Sequence, residues 1–294
     1  MKGIREMTVT IAKSAGFCFG VKRAVNLVYE EAEREGNVYT LGPIIHNETV
    51  VEDLAEKGVR IIDENFICAD DGKKIGQDST VVIRSHGISR KMQNELEESG
   101  FRVVDATCPF VRKIHDIVME QSHLGHPVVI IGDPHHPEVT GIRGWAKGEC
   151  EVVQTAEDVG LLAFSKDVPL CIVSQTTFNF HKFQELVEII KSLGYHVVVT
   201  NTICGATRER QIEAMELAAA SDVMLVIGGK HSSNTQKLYD ICRSQCSRTY
   251  FVSTTADLDG IRFSGEDRIG ITAGASTPNI LIQEVSLHVR RAEL

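Results

Sequence analysis

No Cys-x-x-Cys pair occurs in this sequence, although it holds eight cysteines, at positions 18, 68, 108, 150, 171, 204, 242 and 246. That absence excludes zinc ribbons, thioredoxin-type dithiols and the clustered cysteine run of small ferredoxins. A metal, if one binds, must draw its ligands from segments far apart in the chain. No apolar run reaches the length of a membrane span. Met1–Thr10 carries Lys2 and Arg5 but no apolar stretch of the kind a signal peptide needs. The expected location is therefore the cytoplasm, with reduced thiols and no membrane partner. Basic residues are scarce: 31 Lys and Arg against 40 Asp and Glu give a formal charge of −9. Aromatic residues make up only 6%. Binding of nucleic acid needs a basic face, and single strands need rings to stack on, so no nucleic-acid partner is expected. A small anion, which answers to local donors, is not excluded. There is no linker rich in Pro, Gly or Ser and no low-complexity tract; Gly72–Asp78 reads as a polar loop.

What is present is a regular alternation. Short runs rich in Val and Ile, several of them apolar throughout, occur at Thr8–Ala12, Val38–Leu41, Thr80–Ile83, Val128–Ile131, Leu170–Val173, His196–Val199, Val223–Ile227 and Arg268–Ile271. Strands buried on both faces have this character. Between them lie stripes at helical spacing: Val21, Ala24, Val25, Val28 and Ala32; Val111, Ile114 and Val118; Ile212, Met215 and Ala219. Alternating strand and helix predicts an α/β protein with mostly parallel sheets.

A coarse repeat runs through this pattern. Cys18 in Gly-Phe-Cys-Phe-Gly, Cys108 in Ala-Thr-Cys-Pro and Cys204 in Thr-Ile-Cys-Gly-Ala-Thr each stand between a strand and a helix, 90 and 96 residues apart. Each is followed four residues later by a basic side chain, Lys22, Arg112 and Arg208. The expected organisation is three similar α/β domains: 1–107 together with 277–294, then 108–203, then 204–276. A thiol at a helix start faces unpaired N–H groups and the positive end of the helix dipole, which favours the thiolate, the form that binds metals. Any one of these cysteines could equally be a small buried hydrophobe; the repeated placement argues for a shared role. The other five cysteines read as packing residues, Cys242 and Cys246 included, since no histidine stands beside that pair.

In open α/β sheets ligands bind beyond the carboxyl ends of the strands. Several apolar runs here end in polar residues: Gly-Pro-Ile-Ile-His46-Asn, Arg-Ser-His86-Gly, Gly-Asp-Pro-His135-His136-Pro-Glu138, Ser-Gln-Thr176-Thr177, Gly-Gly-Lys-His231-Ser232-Ser233-Asn234-Thr and Thr-Ala-Gly-Ala-Ser276. The Gly-Gly turn before Ser232, Ser233 and Asn234 offers hydroxyls, an amide and backbone N–H groups to a phosphate. Ordinary helix capping accounts for the same residues. Histidine donates to phosphate with little fixed charge, which suits an acidic protein. Glu138 is a candidate proton donor, or else a solvated loop carboxylate.

Taken in order from about residue 8 to 290, these motifs resemble the 4-hydroxy-3-methylbut-2-enyl diphosphate reductases. The resemblance implies a pseudo-threefold trefoil of α/β domains around a central 4Fe-4S cluster held by Cys18, Cys108 and Cys204, with one iron open. It implies reductive removal of the hydroxyl of an allylic diphosphate to give isopentenyl and dimethylallyl diphosphates, the last step of the non-mevalonate pathway to isoprenoid precursors. His46, His86, His136, Ser232, Ser233, Asn234 and Ser276 would hold the diphosphate. Glu138 and Thr176 would handle the hydroxyl and its proton, while Thr177 and Thr207 line the pocket. Reduced ferredoxin or flavodoxin would be the electron donor. Two departures from the family pattern, His135 and His231, touch no proposed cluster ligand. Competing classes are a non-catalytic iron–sulfur carrier, which has no use for the diphosphate residues, and a zinc hydrolase, which would hold zinc without iron or sulfide.

Overall fold

The computed structural model describes residues 6–65 and 79–291; Cys68 and the Gly72–Asp78 loop lie outside them. The strands are β1 (Thr8–Ile11), β2 (Val38–Leu41), β3 (Arg60–Ile62), β4 (Thr80–Ile83), β5 (Arg102–Asp105), β6 (Val128–Ile131), β7 (Cys150–Val153), β8 (Leu170–Ser174), β9 (Val197–Val199), β10 (Val223–Ile227), β11 (Thr249–Val252) and β12 (Arg268–Ala273). The helices are α1 (Phe19–Ala32), α2 (Glu48–Glu56), α3 (Arg90–Glu98), α4 (Pro109–His123), α5 (Pro137–Arg143), α6 (Ala156–Gly160), α7 (Phe180–Ser192), α8 (Gly205–Ala219), α9 (Ser233–Gln245) and α10 (Asn279–Arg291). No described helix is long and apolar enough to cross a membrane.

The strands form three four-stranded sheets, ordered β3-β2-β4-β5, β7-β6-β8-β9 and β11-β10-β12-β1, and every pairing is parallel. Each sheet has the same internal order, second-first-third-fourth, provided that β1 is counted as the fourth strand of the third sheet. The expected grouping placed the N-terminal segment with residues up to 107. Strand β1 instead pairs with β12, Thr8 opposite Arg268 and Ile11 opposite Ile271. The reason is an open edge: β10, β11 and β12 repeat the first three strands of the other sheets, and β1 fills the position that β5 and β9 fill there.

The chain divides into two compact units. One holds the stretch ending at Phe19, His46–Val50 and the stretch from Gly205; the other holds Gly20–Ile45 and Val51–Cys204. The third sheet belongs to the former, the first and second sheets to the latter. Inner strands are buried on both faces: Val128, Val129, Ile130 and Ile131 of β6 and all of β10 are fully covered, as their apolar runs demand. Around β6 and β8, α4 contributes Ile114 and Val118 and α5 contributes Val139 and Ile142 to one core. On the other face of the same sheet, α7 packs Phe183, Leu186, Val187 and Ile190.

The buried face of α8 differs from the expected stripe Ile212, Met215 and Ala219. In α8 the buried face is Thr207, Arg210, Gln211, Ala214 and Ala218, whereas Ile212 is 41% exposed and Ala219 faces solvent. The helix turns polar residues inward because Arg210 donates to backbone carbonyls of the segment after β1.

Ile130 sits at the centre of β6 with no exposed surface. Truncation in Ile130→Ala is expected to cost about 2–5 kcal/mol, the usual range for a buried cavity. Urea unfolding with an unchanged m value would measure it; a loss below about 1 kcal/mol would show that this core is loosely packed.

Candidate active site

Parallel pairing places every strand's carboxyl end at one edge of its sheet, and the candidate residues lie there. In the second sheet, β6 runs through Asp133 and His136 into α5. Pro137 takes the first helical position, where a missing N–H costs nothing. His136 caps the helix: its Nδ1 accepts the Glu138 N–H at 3.1 Å. A neutral His136 therefore carries its proton on Nε2.

Glu138 is 2% exposed. Thr176, just past β8, donates its N–H to Oε1 at 2.6 Å and its hydroxyl to Oε2 at 2.8 Å. The Thr176 carbonyl in turn accepts the Cys204 N–H at 3.0 Å. Gln175, fully buried, accepts the Asp133 N–H at 3.2 Å and donates to Thr177 Oγ1 at 3.1 Å. The structure thus links Glu138, Thr176 and Cys204 in one hydrogen-bonded line, with Thr177 braced beside it.

In the first sheet, β4 ends in Ser85-His86-Gly87 and β5 in Thr107-Cys108. The Cys108 N–H donates to the Ser85 carbonyl at 3.0 Å. The His86 ring meets His136 edge to face, with centroids 5.3 Å apart. A Cβ on Gly20 would stand 2.6 Å from Cys108 Sγ, so any larger residue here would displace that sulfur. Gly87 has φ +70°, and a Cβ there would stand 2.6 Å from the His115 ring.

His115 is a buried residue that the strand-end motifs do not include. It interrupts the apolar stripe of α4, and that interruption was the available signal. The ring is buried, stacks on Trp145 at 4.9 Å and abuts Gly87. Trp145 Nε1 donates to the Ile88 carbonyl at 2.8 Å. Together they back the His86–Gly87 turn. Burial pushes His115 from 6.5 down to about 4, with Asp105 opposing that shift and Arg112 adding to it.

In the unit of the third sheet, Ser232 caps α9, accepting the Thr235 N–H at 3.3 Å, so the capping role is real. Ser276 Oγ donates to the His46 carbonyl at 3.2 Å and lies 3.5 Å from Ser232 Oγ. Asn234 is 6% exposed and its Nδ2 has no partner among the described residues. Hydroxyls, an amide and a helix start are the kinds of group to which anions hydrogen-bond. Ser233 and His46 are half-buried and Thr207 is buried. His231 points outward, its side chain 82% exposed near Glu48. The Cys18 N–H donates to the Ala275 carbonyl at 3.2 Å, joining the Cys18 loop to the turn that carries Ser276.

The cysteines separate by burial. Cys18, Cys108 and Cys204 are half-buried, while Cys150, Cys171, Cys242 and Cys246 are buried. Burial pushes the thiols of Cys150 and Cys242 up to about 12 and that of Cys171 to about 11. Those three stay protonated and pack as hydrophobes. Of the basic residues four places after the half-buried cysteines, Arg112 pairs with Asp105, and Lys22 and Arg208 are exposed.

The family model described as LytB protein matches residues 9–290. A 4-hydroxy-3-methylbut-2-enyl diphosphate reductase of Caldanaerobacter subterraneus subsp. tengcongensis is 46% identical, covering 95% of each chain. The protein of the same name from Geobacter sulfurreducens is 44% identical over 95% of each chain. A solved structure of (E)-4-hydroxy-3-methyl-but-2-enyl diphosphate reductase, described as the terminal enzyme of the non-mevalonate pathway, superposes with a TM-score of 0.69. It is 40% identical, over 97% of this chain and 99% of the other. The Plasmodium falciparum E-1-hydroxy-2-methyl-but-2-enyl-4-diphosphate reductase structure gives a TM-score of 0.87 at 26% identity, over 96% of this chain and 87% of that one.

Buried, neutral His115 makes stability pH-dependent. The unfolded chain takes up a proton near 6.5, which the folded ring refuses until about 4. Its contribution is complete above 6.5 and is lost as pH falls toward 4, by at most about 1.4 kcal/mol per unit. Urea unfolding across that window should show a shallower decline in His115→Phe than in the wild type. Equal slopes would remove this role.

Proposed function

The chain belongs to the LytB protein family, and from that premise we propose that it reduces (E)-4-hydroxy-3-methylbut-2-enyl diphosphate. The products are isopentenyl and dimethylallyl diphosphates, and the step is the last of the non-mevalonate pathway. Two electrons and two protons enter, the allylic C–O bond breaks, and the hydroxyl leaves as water. One observation carries the reading. A buried carboxylate, Glu138, is hydrogen-bonded through Thr176 to the backbone of Cys204, so a proton source and a candidate thiolate ligand share one rigid line.

The donor set fits an iron–sulfur cluster. Three half-buried cysteines stand at or just before helix starts, open enough for their sulfurs to meet a metal. The remaining buried thiols with raised pKa values are poor ligands. Gly20, two positions after Cys18, leaves room around Cys108 Sγ. A 4Fe-4S cluster on Cys18, Cys108 and Cys204, with one iron lacking a protein ligand, would supply electrons and a Lewis-acidic vertex.

The chain's own residues do the rest. His46, His86, His136, Ser232, Ser233, Asn234 and Ser276 bind the diphosphate; His136 offers Nε2–H, and Asn234 offers an amide donor with no other partner among the described residues. Fixing that end of the substrate orients the hydroxyl. The Glu138 and Thr176 side chains are both buried; protonated Glu138 would donate to Thr176 Oγ, whose hydroxyl then turns to pass its own proton to the leaving hydroxyl. Thr177 and Thr207 shape the wall. The family resemblance implies reduced ferredoxin or flavodoxin as the electron donor.

Anaerobically purified protein is expected to contain iron and sulfide and to change its visible spectrum when the diphosphate substrate is added. Zinc without iron or sulfide would end this reading, and an intact cluster with no diphosphate binding would make the protein a carrier. Glu138→Gln should retain iron and sulfide while kcat falls about 10²–10⁴-fold. A wild-type kcat in that variant would free Glu138 of the proton step.

A further inference from the structure

Cys18 lies in a segment with no regular secondary structure, yet its backbone is tightly fixed. The Ala12 N–H donates to Ile271, that of Ala15 to Ala12 and that of Cys18 to Ala275. Four further backbone groups are claimed by α8. Glu213 accepts the Lys13 N–H at 2.7 Å on Oε1 and the Ser14 N–H at 2.9 Å on Oε2, and the Ser14 hydroxyl also donates to Oε2. Arg210 returns the exchange: Nε donates to the Ser14 carbonyl at 2.9 Å and Nη2 to the Gly16 carbonyl at 2.7 Å. Arg210 is 3% exposed. An amphipathic helix gains most by burying apolar residues, but α8 buries a guanidinium and leaves Ile212 in solvent. That choice costs stability, and the bonds from Nε and Nη2 to the loop offset part of the cost.

We propose that Arg210 and Glu213 are positioning residues that lock the 13–16 loop and so set the place of the Cys18 sulfur. The inference rests on the reading of Cys18 as a cluster ligand. Groups that orient metal ligands are worth about 10–100-fold in metal affinity. The 13–16 stretch forms no strand or helix, so the clamp supplies hydrogen bonds that a ladder would otherwise make, alongside the bonds to Ile271 and Ala275. Lysine at 210 would keep the charge but lose the planar fork that spans two carbonyls.

The test uses the full chain, purified and reconstituted without oxygen, as wild type, Arg210→Met, Glu213→Gln and a control, Arg248→Met. Arg248 belongs to the same unit and bonds Asp267 and the Arg262 carbonyl, away from the loop. Three quantities are read: iron and sulfide per chain, the rate of iron loss to a ferrous chelator, and the melting temperature of the metal-free chain. Arg210→Met and Glu213→Gln should lose iron about tenfold faster than the control at a matched drop in melting temperature. Rates equal to the control's would overturn the proposal. If either variant fails to fold, Arg210→Lys and Glu213→Asp carry the same comparison, with the same outcomes deciding it. A wild type that binds no iron and sulfide refutes the cluster reading itself, which separates that failure from a failure of the clamp.

Discussion

Parallel pairing makes every strand of a sheet end at the same edge, and the arrangement of functional groups follows from that. Each sheet repeats one order, with its first and third strands inside and its second and fourth at the edges. The loops after first strands carry His46, His136 with Glu138, and Ser232 with Asn234. Those after third strands carry His86, Thr176 with Thr177, and Ser276. Those after fourth strands carry Cys108, Cys204 and Cys18. The loops after second strands carry none of these. Two of them, after β7 and β11, close on themselves through capping boxes, Thr155 with Asp158 and Thr254 with Asp257. Their polar residues are spent on starting the next helix.

The same geometry explains which strands were legible in the sequence. All six inner strands, β2, β4, β6, β8, β10 and β12, stood out as apolar runs, because burial on both faces removes any need for alternation. The strands that escaped notice are β3, β5, β7 and β11, all at edges. Arg60-Ile-Ile and Arg102-Val-Val-Asp mix charge with short apolar stretches, and Cys150-Glu-Val-Val and Thr249-Tyr-Phe-Val present one face to solvent or helix. An edge strand has one neighbour to satisfy and tolerates polar residues, so its pattern is weak. The membership of β1 could not be read at all from local pattern. Only its pairing with β12, some 260 residues away, reveals that the fourth strand of the last sheet comes first in the chain.

Site residues were legible where they sit in short motifs at strand ends, since composition there departs sharply from the apolar run before it. Residues that work from inside helices were not. His115 and Arg210 both occupy positions that helical periodicity assigns to the core, and a rule that equates a buried stripe with apolar side chains passes over them. The sequence signal existed in each case as a violation: a histidine among Val111, Ile114 and Val118, and an arginine where an aliphatic residue would pack better.

Those violations share a cause. Loops beyond parallel strands must hold ligating and hydrogen-bonding groups at fixed positions without a ladder to hold their own backbone. The fixing groups have to come from a rigid element behind them, and they have to be polar, because backbone N–H and C=O groups answer only to hydrogen bonds. His115 with Trp145 stands behind the His86–Gly87 turn, Thr176 holds Glu138 and the start of the Cys204 segment, and Arg210 with Glu213 holds the Cys18 approach. Each support buries a polar side chain that the core alone would not choose. Local departures from ideal packing are therefore where this sequence records its chemistry, one layer beneath the residues expected to touch a substrate.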